Sequence, residues 1–505
     1  MAVLPGARAG SIRQPVGEPR RDRAPARAVG AACGFGLRRA GGGASRARVR
    51  LLTAVSAAVI PGLYPAAFAR ADGESPAGAP APPDPVPAPF DPAKGIGPDG
   101  RMMRIGLPAD LPNPDRWRYI PEGRILPGSL LERFLVTSFA TPVVYYDSEV
   151  GFGGGLAITD IDFRSQRRQE FAGIRVGYTT EGQQSYTINW RRWIHQRDLP
   201  AGGVIQEERS HLQVSAGYEK SLTLRFFGLG PDTKEDDETS YSDAEARLGA
   251  RVHLSFPDPG GDWIVSTGAR VERHNLGHGW VSGVPDTLDS HPAIFEAGDR
   301  YWGGWLGGAL RYDTRDSPHN PYGGWTAGVT AEAPLLQSGL GPGAVLTVDG
   351  SAVLAVPGLF HGGGEPGEEN PPTDTVAAGA FLAATAGDMP FWALPALGGT
   401  DTLRGYLGHR WTGRAAWHAA AEYRFWWLPR GFALTDTIRF ERFGAAFFYD
   451  LGTVADTVPD LVGAKVHDSY GVSLRVSLER KAVFRFDVGF SDEGVVYSGA
   501  YGLSF

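Results

Sequence analysis

The sequence has almost no cysteine and, in its main body, no long apolar run. A single cysteine, Cys33, stands among 505 residues, so the chain beyond it can form neither a disulfide nor a thiolate metal site. Downstream of residue 72, no stretch of eighteen uninterrupted apolar residues occurs, which excludes a transmembrane helix there. Any membrane crossing by this part of the chain must therefore use β-strands.

The sequence also lacks the short motifs of common catalytic sites. It contains no Gly-x-Ser-x-Gly elbow, no Gly-Lys-Ser/Thr phosphate loop, no His-Glu-x-x-His and no paired-cysteine metal signature. We therefore expect no enzymatic activity, no cofactor and no metal site. The eleven histidines are scattered, and we interpret His195, His253, His274 and His409 as lumen or loop residues rather than ligands.

After the first 71 residues, acidic residues outnumber basic ones. The whole chain carries a formal net charge of −7, and residues 1–71 contribute +10, which leaves −17 for a chain that begins at Asp72. Because an acidic surface repels phosphate, nucleic acid is excluded as a partner. The run "RSQRRQ" at 164–169 is interpreted as a solvated turn. The acidic run "KEDDETSYSD" at 234–243 could attract a divalent ion, but it lacks EF-hand spacing and is interpreted as a solvated external loop.

The first 137 residues divide by composition into three segments. Residues 1–45 lack hydrophobic periodicity and are predicted to be a disordered extension. Residues 46–71 place three arginines ahead of an apolar stretch that closes on small-x-small sites, which predicts a signal peptide for export. Residues 72–137 begin with a Pro/Ala/Gly tract and are predicted to be a periplasmic linker or a short plug segment.

From residue 138 onward, segments of roughly ten residues alternate between apolar and polar side chains. In "VFRFDVGF" the phenylalanines and valine share one face, whereas Arg485 and Asp487 lie on the other, where they suit a wet lumen. Aromatic clusters at 301–302, 425–427 and 447–449 lie near segment ends, as interfacial girdles do. The pattern therefore favours an all-β, antiparallel transmembrane barrel over a soluble sandwich.

The alternating segments number sixteen, an even number that places both barrel ends in the periplasm. Four long connections are then external: 220–239, 275–299, 388–412 and 452–467. The predicted strands are 138–147, 150–163, 168–180, 184–197, 207–219, 240–256, 261–274, 300–314, 323–335, 344–356, 374–387, 413–428, 442–451, 468–479, 481–491 and 496–505.

Several motifs within residues 138–505 are similar to those of a known family. They are "LGGTDTLRGYLGHR", "AAEYRFWW", "GAAFFYDLG", "LRYDTRDSPHNPYGG", "FFGLGPDT" and the terminal Phe505. Together they resemble the BamA/TamA type of sixteen-stranded bacterial outer-membrane barrel, also called the bacterial surface antigen superfamily. The resemblance implies a bacterial outer-membrane location.

The resemblance also implies a latch inside the barrel. In that family, the loop between strands eleven and twelve folds back into the lumen, so Arg404 is expected to meet Glu422 and Asp450. A guanidinium can satisfy two carboxylates, Gly405 permits a close backbone approach, and Tyr406 can pack against the wall. A solvated loop position for Arg404 is the alternative.

Phe505 resembles the C-terminal signal by which barrels enter the assembly machinery, and it is equally compatible with an ordinary lipid-facing final residue. On an edge strand it would help to position the closure between the first and last strands. Glycines near this seam either weaken its packing or merely smooth the wall. They are Gly151, Gly153, Gly154, Gly155, Gly499 and Gly502.

The resemblance implies a function in inserting or translocating polypeptides at the outer membrane. Residues 72–137 are too short and too rich in proline for the periplasmic POTRA modules that receive clients in such proteins, so we expect a stand-alone, monomeric barrel. Its expected partners are outer-membrane lipid and either unfolded outer-membrane proteins or a periplasmic protein. The alternatives are a transport barrel for lipid or a small solute, and a structural surface antigen.

Overall fold

The computed structural model describes residues 107–120, 138–160, 162–165, 168–200, 203–295, 298–359, 374–428, 440–478 and 482–505. The predicted extension, the predicted signal peptide and most of the predicted linker lie outside these residues. Within the described ranges, no helix has the length and apolar character needed to cross a bilayer.

Strands dominate the described chain. In order they are β1 (Trp117–Ile120), β2 (Ser138–Asp147), β3 (Gly151–Asp160), β4 (Glu170–Thr179), β5 (Gln184–Trp193), β6 (Gln196–Asp198), β7 (Val204–Glu207), β8 (His211–Phe226), β9 (Thr239–Phe256), β10 (Trp263–His278), β11 (Arg300–Asp313), β12 (Gly324–Gln337), β13 (Gly343–Val356), β14 (Asp374–Gly387), β15 (Ala396–Leu397), β16 (Trp411–Thr412), β17 (Ala415–Leu428), β18 (Phe440–Ala455), β19 (His467–Leu478), β20 (Ala482–Ser491) and β21 (Gly494–Tyr501).

In the part of the chain that the structure describes, helical structure is confined to single turns. One short α-helix, α1, covers Thr287–Ser290, and 3-10 turns cover Pro114–Arg116, Phe163–Ser165, Glu235–Asp237, Pro292–Phe295, Phe391–Ala393 and Pro459–Leu461.

Sixteen of the strands form one antiparallel sheet in chain order. These are β2 to β5, β8 to β14 and β17 to β21, and each pairs with the next. The two ends of the sheet meet where Ser148 N donates to Tyr497 O at 3.0 Å, so the sheet is a nearly closed barrel. The predicted all-β, sixteen-stranded antiparallel barrel is confirmed.

The alternation in sequence separates two faces of the wall. Along β10, Val265 and Val271 lie exposed on the outer face, whereas Arg270, Glu272 and His274 lie on the inner face. Successive strand side chains point to opposite sides. The barrel therefore has an apolar outer surface and a polar lumen, as a lipid-facing wall requires.

Several predicted strand boundaries differ from the structure by a few residues, and two of the differences have a clear local cause. The predicted fifth strand ends at residue 219, but β8 continues to Phe226 because, after a bulge, Leu224 pairs with Tyr241. The last strand ends at Tyr501 rather than at Phe505. Gly502 has a φ of +94°, a left-handed conformation that suits glycine, and it turns the chain away from the strand.

A small sheet lies beside the barrel on the predicted periplasmic side. It has the order β1-β7-β6, and β6 and β7 belong to the connection between barrel strands β5 and β8. The turn before β1 is tied to the connection between β9 and β10, because Asn113 Nδ2 donates to Pro259 O at 3.3 Å and Arg116 lies 3.5 Å from Asp262. Part of the predicted linker therefore packs on the barrel rim.

The long connection after β14 lies within the lumen and carries an apolar core there. Leu403, Tyr406 and Trp411 of this connection pack with Ala416 and Val454 of the barrel wall. The lumen is therefore partly filled by this connection, which strand counting in the sequence assigns to the external side as residues 388–412.

Arginine on the outer face is expected to destabilise the barrel. Val329 is 44% exposed near the middle of β12, and Val329→Arg should lower the free energy of unfolding by about 2–4 kcal/mol because it places a charge in the bilayer. Thr330→Arg is the matched control, since residue 330 lies on the inner face with Glu332. Denaturant unfolding from lipid vesicles measures both, and equal losses would contradict the assignment of the two faces.

Candidate functional site

The connection between β14 and β17, residues 388–414, is called the luminal loop. Hydrogen bonds within its own backbone order its central turn. Tyr406 N donates to Leu403 O at 3.0 Å, and Gly399 N donates to Tyr406 O at 3.1 Å. Thr402 Oγ1 accepts from Gly398 N at 2.9 Å. Both glycines have positive φ, at +111° and +92°, so the tight turn depends on glycine at these positions.

Arg404 extends from this turn into a fully buried ionic cluster. Its Nε and Nη2 donate to the two carboxylate oxygens of Asp450 at 2.9 and 2.8 Å, and its backbone N donates to Asp450 at 3.1 Å. Its Nη1 donates to Glu422 at 2.5 Å. All three side chains are 0% exposed. The loop thus contacts two strands of the wall, β17 and β18, through one guanidinium.

Glu422 accepts from three arginines. Besides Arg404, Arg424 Nε lies 2.7 Å and Arg475 Nη2 lies 2.8 Å from its other carboxylate oxygen. Arg424 is two residues along the same strand, whereas Arg475 comes from β19. Every carboxylate oxygen of Glu422 and Asp450 is therefore occupied by a protein donor, which leaves this cluster no room for a cation.

The cluster keeps Arg404 charged although it is buried. Burial alone lowers the pKa of a guanidinium, but the hydrogen bonds and charge of Asp450, followed by the charge of Glu422, outweigh burial and raise the pKa of Arg404 above its ordinary value. The guanidinium also stacks over Phe448, 3.7 Å from the ring centroid.

Gly405 and Tyr406 bring the same turn into contact with β20 and with the residue that follows it, Asp492. A side chain at residue 405 would meet Phe490 O at 2.6 Å, so only glycine allows the loop backbone to lie this close to β20. Tyr406 OH donates to Asp492 at 2.6 Å, and its ring packs edge-on against Trp411 at 4.5 Å.

The C-terminus enters the same cluster. Ser504 Oγ donates to Glu422 at 3.0 Å, and the ring of Phe505 lies under Arg424, 5.0 Å from the guanidinium carbon. A side chain at Gly379 would collide with this ring at 2.7 Å. Phe505 therefore lies inside the barrel and not on the lipid-facing edge strand, because Gly502 turns the last residues inward.

The structure brings together Arg404, Gly405, Tyr406, Glu422 and Asp450, as well as Phe505, which the sequence treats separately. Sequence reasoning does not include Arg424, Arg475 or Ser504 in the cluster. The signal for Arg424 is its spacing of two from Glu422, which places both on one face of a strand. Arg475 joins through strand register, which the sequence does not reveal.

The seam between β2 and β21 is a second distinctive feature. Every other pair of neighbouring barrel strands shares a ladder, interrupted by a register shift in four pairs, whereas no ladder joins β2 to β21 in the described ranges. Ser148 bridges the seam through its backbone N and its Oγ, which accepts from Tyr497 N and donates to Tyr497 O at 3.0 and 3.2 Å. Among the described residues, the hydrogen bonds across the seam come from one residue pair, Ser148 and Tyr497.

A family comparison matches most of the barrel. An Omp85 superfamily domain covers residues 168–495, which is more than half of the chain. The chain therefore belongs to the Omp85 superfamily, and it is an outer-membrane β-barrel protein. The resemblance noted in the sequence is confirmed. No curated protein sequence matches the chain.

The solved structures that are similar to this chain include a BamA barrel and two CdiB barrels. BamA from Haemophilus ducreyi lacking POTRA domains 1-3 is 14% identical over 72% of this chain and 70% of that one, with a TM-score of 0.46. CdiB from Acinetobacter baumannii is 11% identical with a TM-score of 0.44, and CdiB from Escherichia coli is 10% identical with a TM-score of 0.45. In both cases 72% of this chain aligns, with 59% and 62% of the respective CdiB chains, which is less than two thirds.

Removing the latch arginine is expected to loosen the loop. Arg404→Ala leaves Glu422 and Asp450 short of a buried partner, which typically costs about 3–5 kcal/mol. The variant should therefore lose its heat-modified mobility in detergent gels at a lower temperature than the wild type. Arg414→Ala, which removes one exposed hydrogen bond at the end of the same loop, should behave like the wild type. A wild-type profile for Arg404→Ala would refute the latch.

Proposed function

We propose that this barrel assists the insertion or translocation of polypeptides at the outer membrane, and that it acts at the seam between β2 and β21. The observation that carries the proposal is the bridge of Ser148 to Tyr497, with no ladder between the two strands in the described residues. Membership of the Omp85 superfamily supports the same function.

The physical reason lies in the edges that an unpaired seam presents. Backbone N–H and C=O groups without partners are costly in hydrocarbon, which cannot hydrogen-bond to them. An extended segment of another chain can supply those bonds by adding a strand to an edge. Because Ser148 and Tyr497 alone are hydrogen-bonded across the seam in the described part of the chain, separating β2 from β21 breaks far fewer hydrogen bonds than separating two strands joined by a ladder.

The client on this proposal is an unfolded outer-membrane or secreted polypeptide, delivered directly or by a periplasmic partner. The role involves no chemical step, so it requires no catalytic residues. A transport barrel is less favoured, because the loop that carries Arg404 and the tail that ends at Phe505 both occupy the lumen. A large, steady conductance in planar bilayers would favour transport instead.

Locking the seam tests the proposal. The pair Ser148→Cys and Tyr497→Cys introduces cysteines into a chain whose own cysteine is Cys33 alone. In the oxidised state, the cells should show the same loss of outer-membrane proteins by proteomics as cells depleted of the protein. Reduction should restore the wild-type pattern, because it reopens the seam.

The matched control is the pair Leu248→Cys and Val271→Cys, which face each other across the continuous ladder of β9 and β10. Oxidation of this pair should leave the outer-membrane proteome unchanged, since those strands are already joined. The proposal is wrong if the locked seam supports a normal proteome, or if depletion itself changes no other outer-membrane protein.

A further inference from the structure

Four ionisable side chains gather on the luminal faces of β9 and β10, away from the Arg404 cluster. Asp243 and Glu245 lie on β9, and Glu272 and His274 lie on β10. Glu245 is the direct register partner of His274. The ligand atoms of Glu245, Glu272 and His274 all lie within 4.8 Å of one another.

One ring nitrogen of His274 has a hydrogen-bond partner that orients the imidazole, and the other has none among the described residues. Its Nδ1 lies 2.6 Å from the carboxylate of Asp243, and its side chain is 7% exposed. Its Nε2 has no hydrogen-bond partner among the described residues. The nearest carboxylate oxygen, Glu272 Oε1, is 3.7 Å away, which is too far for a hydrogen bond. Buried polar atoms are nearly always paired, so this one calls for a partner.

We propose that His274 Nε2 and the carboxylates of Glu245 and Glu272 bind a divalent first-row transition metal ion. A metal bonded to each ligand at about 2.0–2.2 Å holds its ligands about 3–4 Å apart, and the 3.7 Å separation falls in that range. The imidazole favours transition metals over calcium and magnesium, which prefer oxygen.

Asp243 acts on the metal through the ring. Metal-binding histidines commonly donate their other N–H to a carboxylate, which fixes the tautomer and strengthens the ligand. With Nδ1–H donated to Asp243, Nε2 keeps its lone pair for a metal, and Glu272 Oε1 lies 3.7 Å from it. Asp243 is therefore a positioning residue, and the three metal ligands stand on neighbouring strands.

The surrounding charges leave the ligand atoms accessible. Arg270 Nε donates to Glu272 Oε2 at 3.0 Å, which leaves Oε1 facing His274. Arg247 lies 3.6 Å from Glu245, too far for a hydrogen bond. The competing reading is an imidazolium that forms ion pairs with Asp243 and Glu272, at 2.6 and 3.7 Å; stoichiometric Zn²⁺ binding, tested below, separates it from a metal site.

The luminal loop borders the proposed site. The ring of Trp392, in the turn Phe391–Ala393, packs 5.0 Å from the ring of His274. Tyr301 packs on the same ring at 5.8 Å. Aromatic rings thus shield the imidazole, and a bound ion would join β9 to β10 beside the start of the loop.

Calorimetric titration with Zn²⁺ tests the site. The barrel is purified in detergent without a histidine tag, stripped with a chelator and titrated with Zn²⁺ or Ca²⁺. We expect one Zn²⁺ per chain and much weaker Ca²⁺ binding. His274→Gln and Glu245→Gln should each weaken Zn²⁺ binding by at least about tenfold, and Asp243→Asn by about 10–100-fold, through the ring.

His253→Gln is the matched control. His253 is a second luminal histidine, on β9, and its Nδ1 lies 2.7 Å from Ser266 Oγ instead of a carboxylate. Its replacement should leave Zn²⁺ binding unchanged, and heat-modified mobility verifies that each variant is folded. If His274→Gln fails to fold, Glu245→Gln decides the question. The site is refuted if the wild type binds no stoichiometric Zn²⁺, or if the folded ligand variants bind it as tightly as the wild type.

Discussion

A single buried carboxylate, that of Glu422, joins four parts of the chain inside the barrel. It accepts from Arg404 of the luminal loop, from Arg424 on its own strand, from Arg475 on β19 and from Ser504 in the C-terminal tail. A buried charge is tolerated only when it is paired and its lone pairs are satisfied. Loop, wall and terminus are consequently held in one arrangement, because displacing the loop leaves Asp450 without the guanidinium of Arg404, and displacing the tail removes the hydrogen bond from Ser504 to Glu422.

Together, the last strand and the C-terminal tail take part in both the buried Glu422 cluster and the seam, which has no ladder in the described residues. The last strand, β21, forms one side of the seam, where one residue pair, Ser148 and Tyr497, replaces a ladder. Four residues after that strand ends, Phe505 is fixed beneath Arg424. The cluster at Glu422 therefore anchors an edge strand from inside while the seam itself stays weak. If β21 separates from β2 at the seam, the contacts of Ser504 and Phe505 with the cluster keep the end of the chain attached to the rest of the barrel.

The sequence predicts the architecture well because a barrel wall imposes a local rule. Every strand must alternate between lipid and lumen, and this period of two is visible in single segments such as Phe484 to Phe490. The end of the last strand depends on the inward turn at Gly502, which alternation does not reveal. Arg404, Glu422 and Asp450 were recognised through family resemblance, whereas Arg475 and the pairing of His274 with Glu245 depend on strand register. Register is a long-range property, so the sequence predicts neither the presence of Arg475 in the Glu422 cluster nor the pairing of His274 with Glu245.

Hydrogen exchange of the luminal loop tests the central claim most directly, in the intact barrel without any substitution. The amides of Gly399, Arg404 and Tyr406 are hydrogen-bonded inside the lumen, so peptides across 398–408 should exchange as slowly as peptides from strand β17. Peptides from the connection around Gly283, where a side chain would meet open space, should exchange rapidly. If the loop peptides exchange as fast as those around Gly283, the loop is not latched and the account fails.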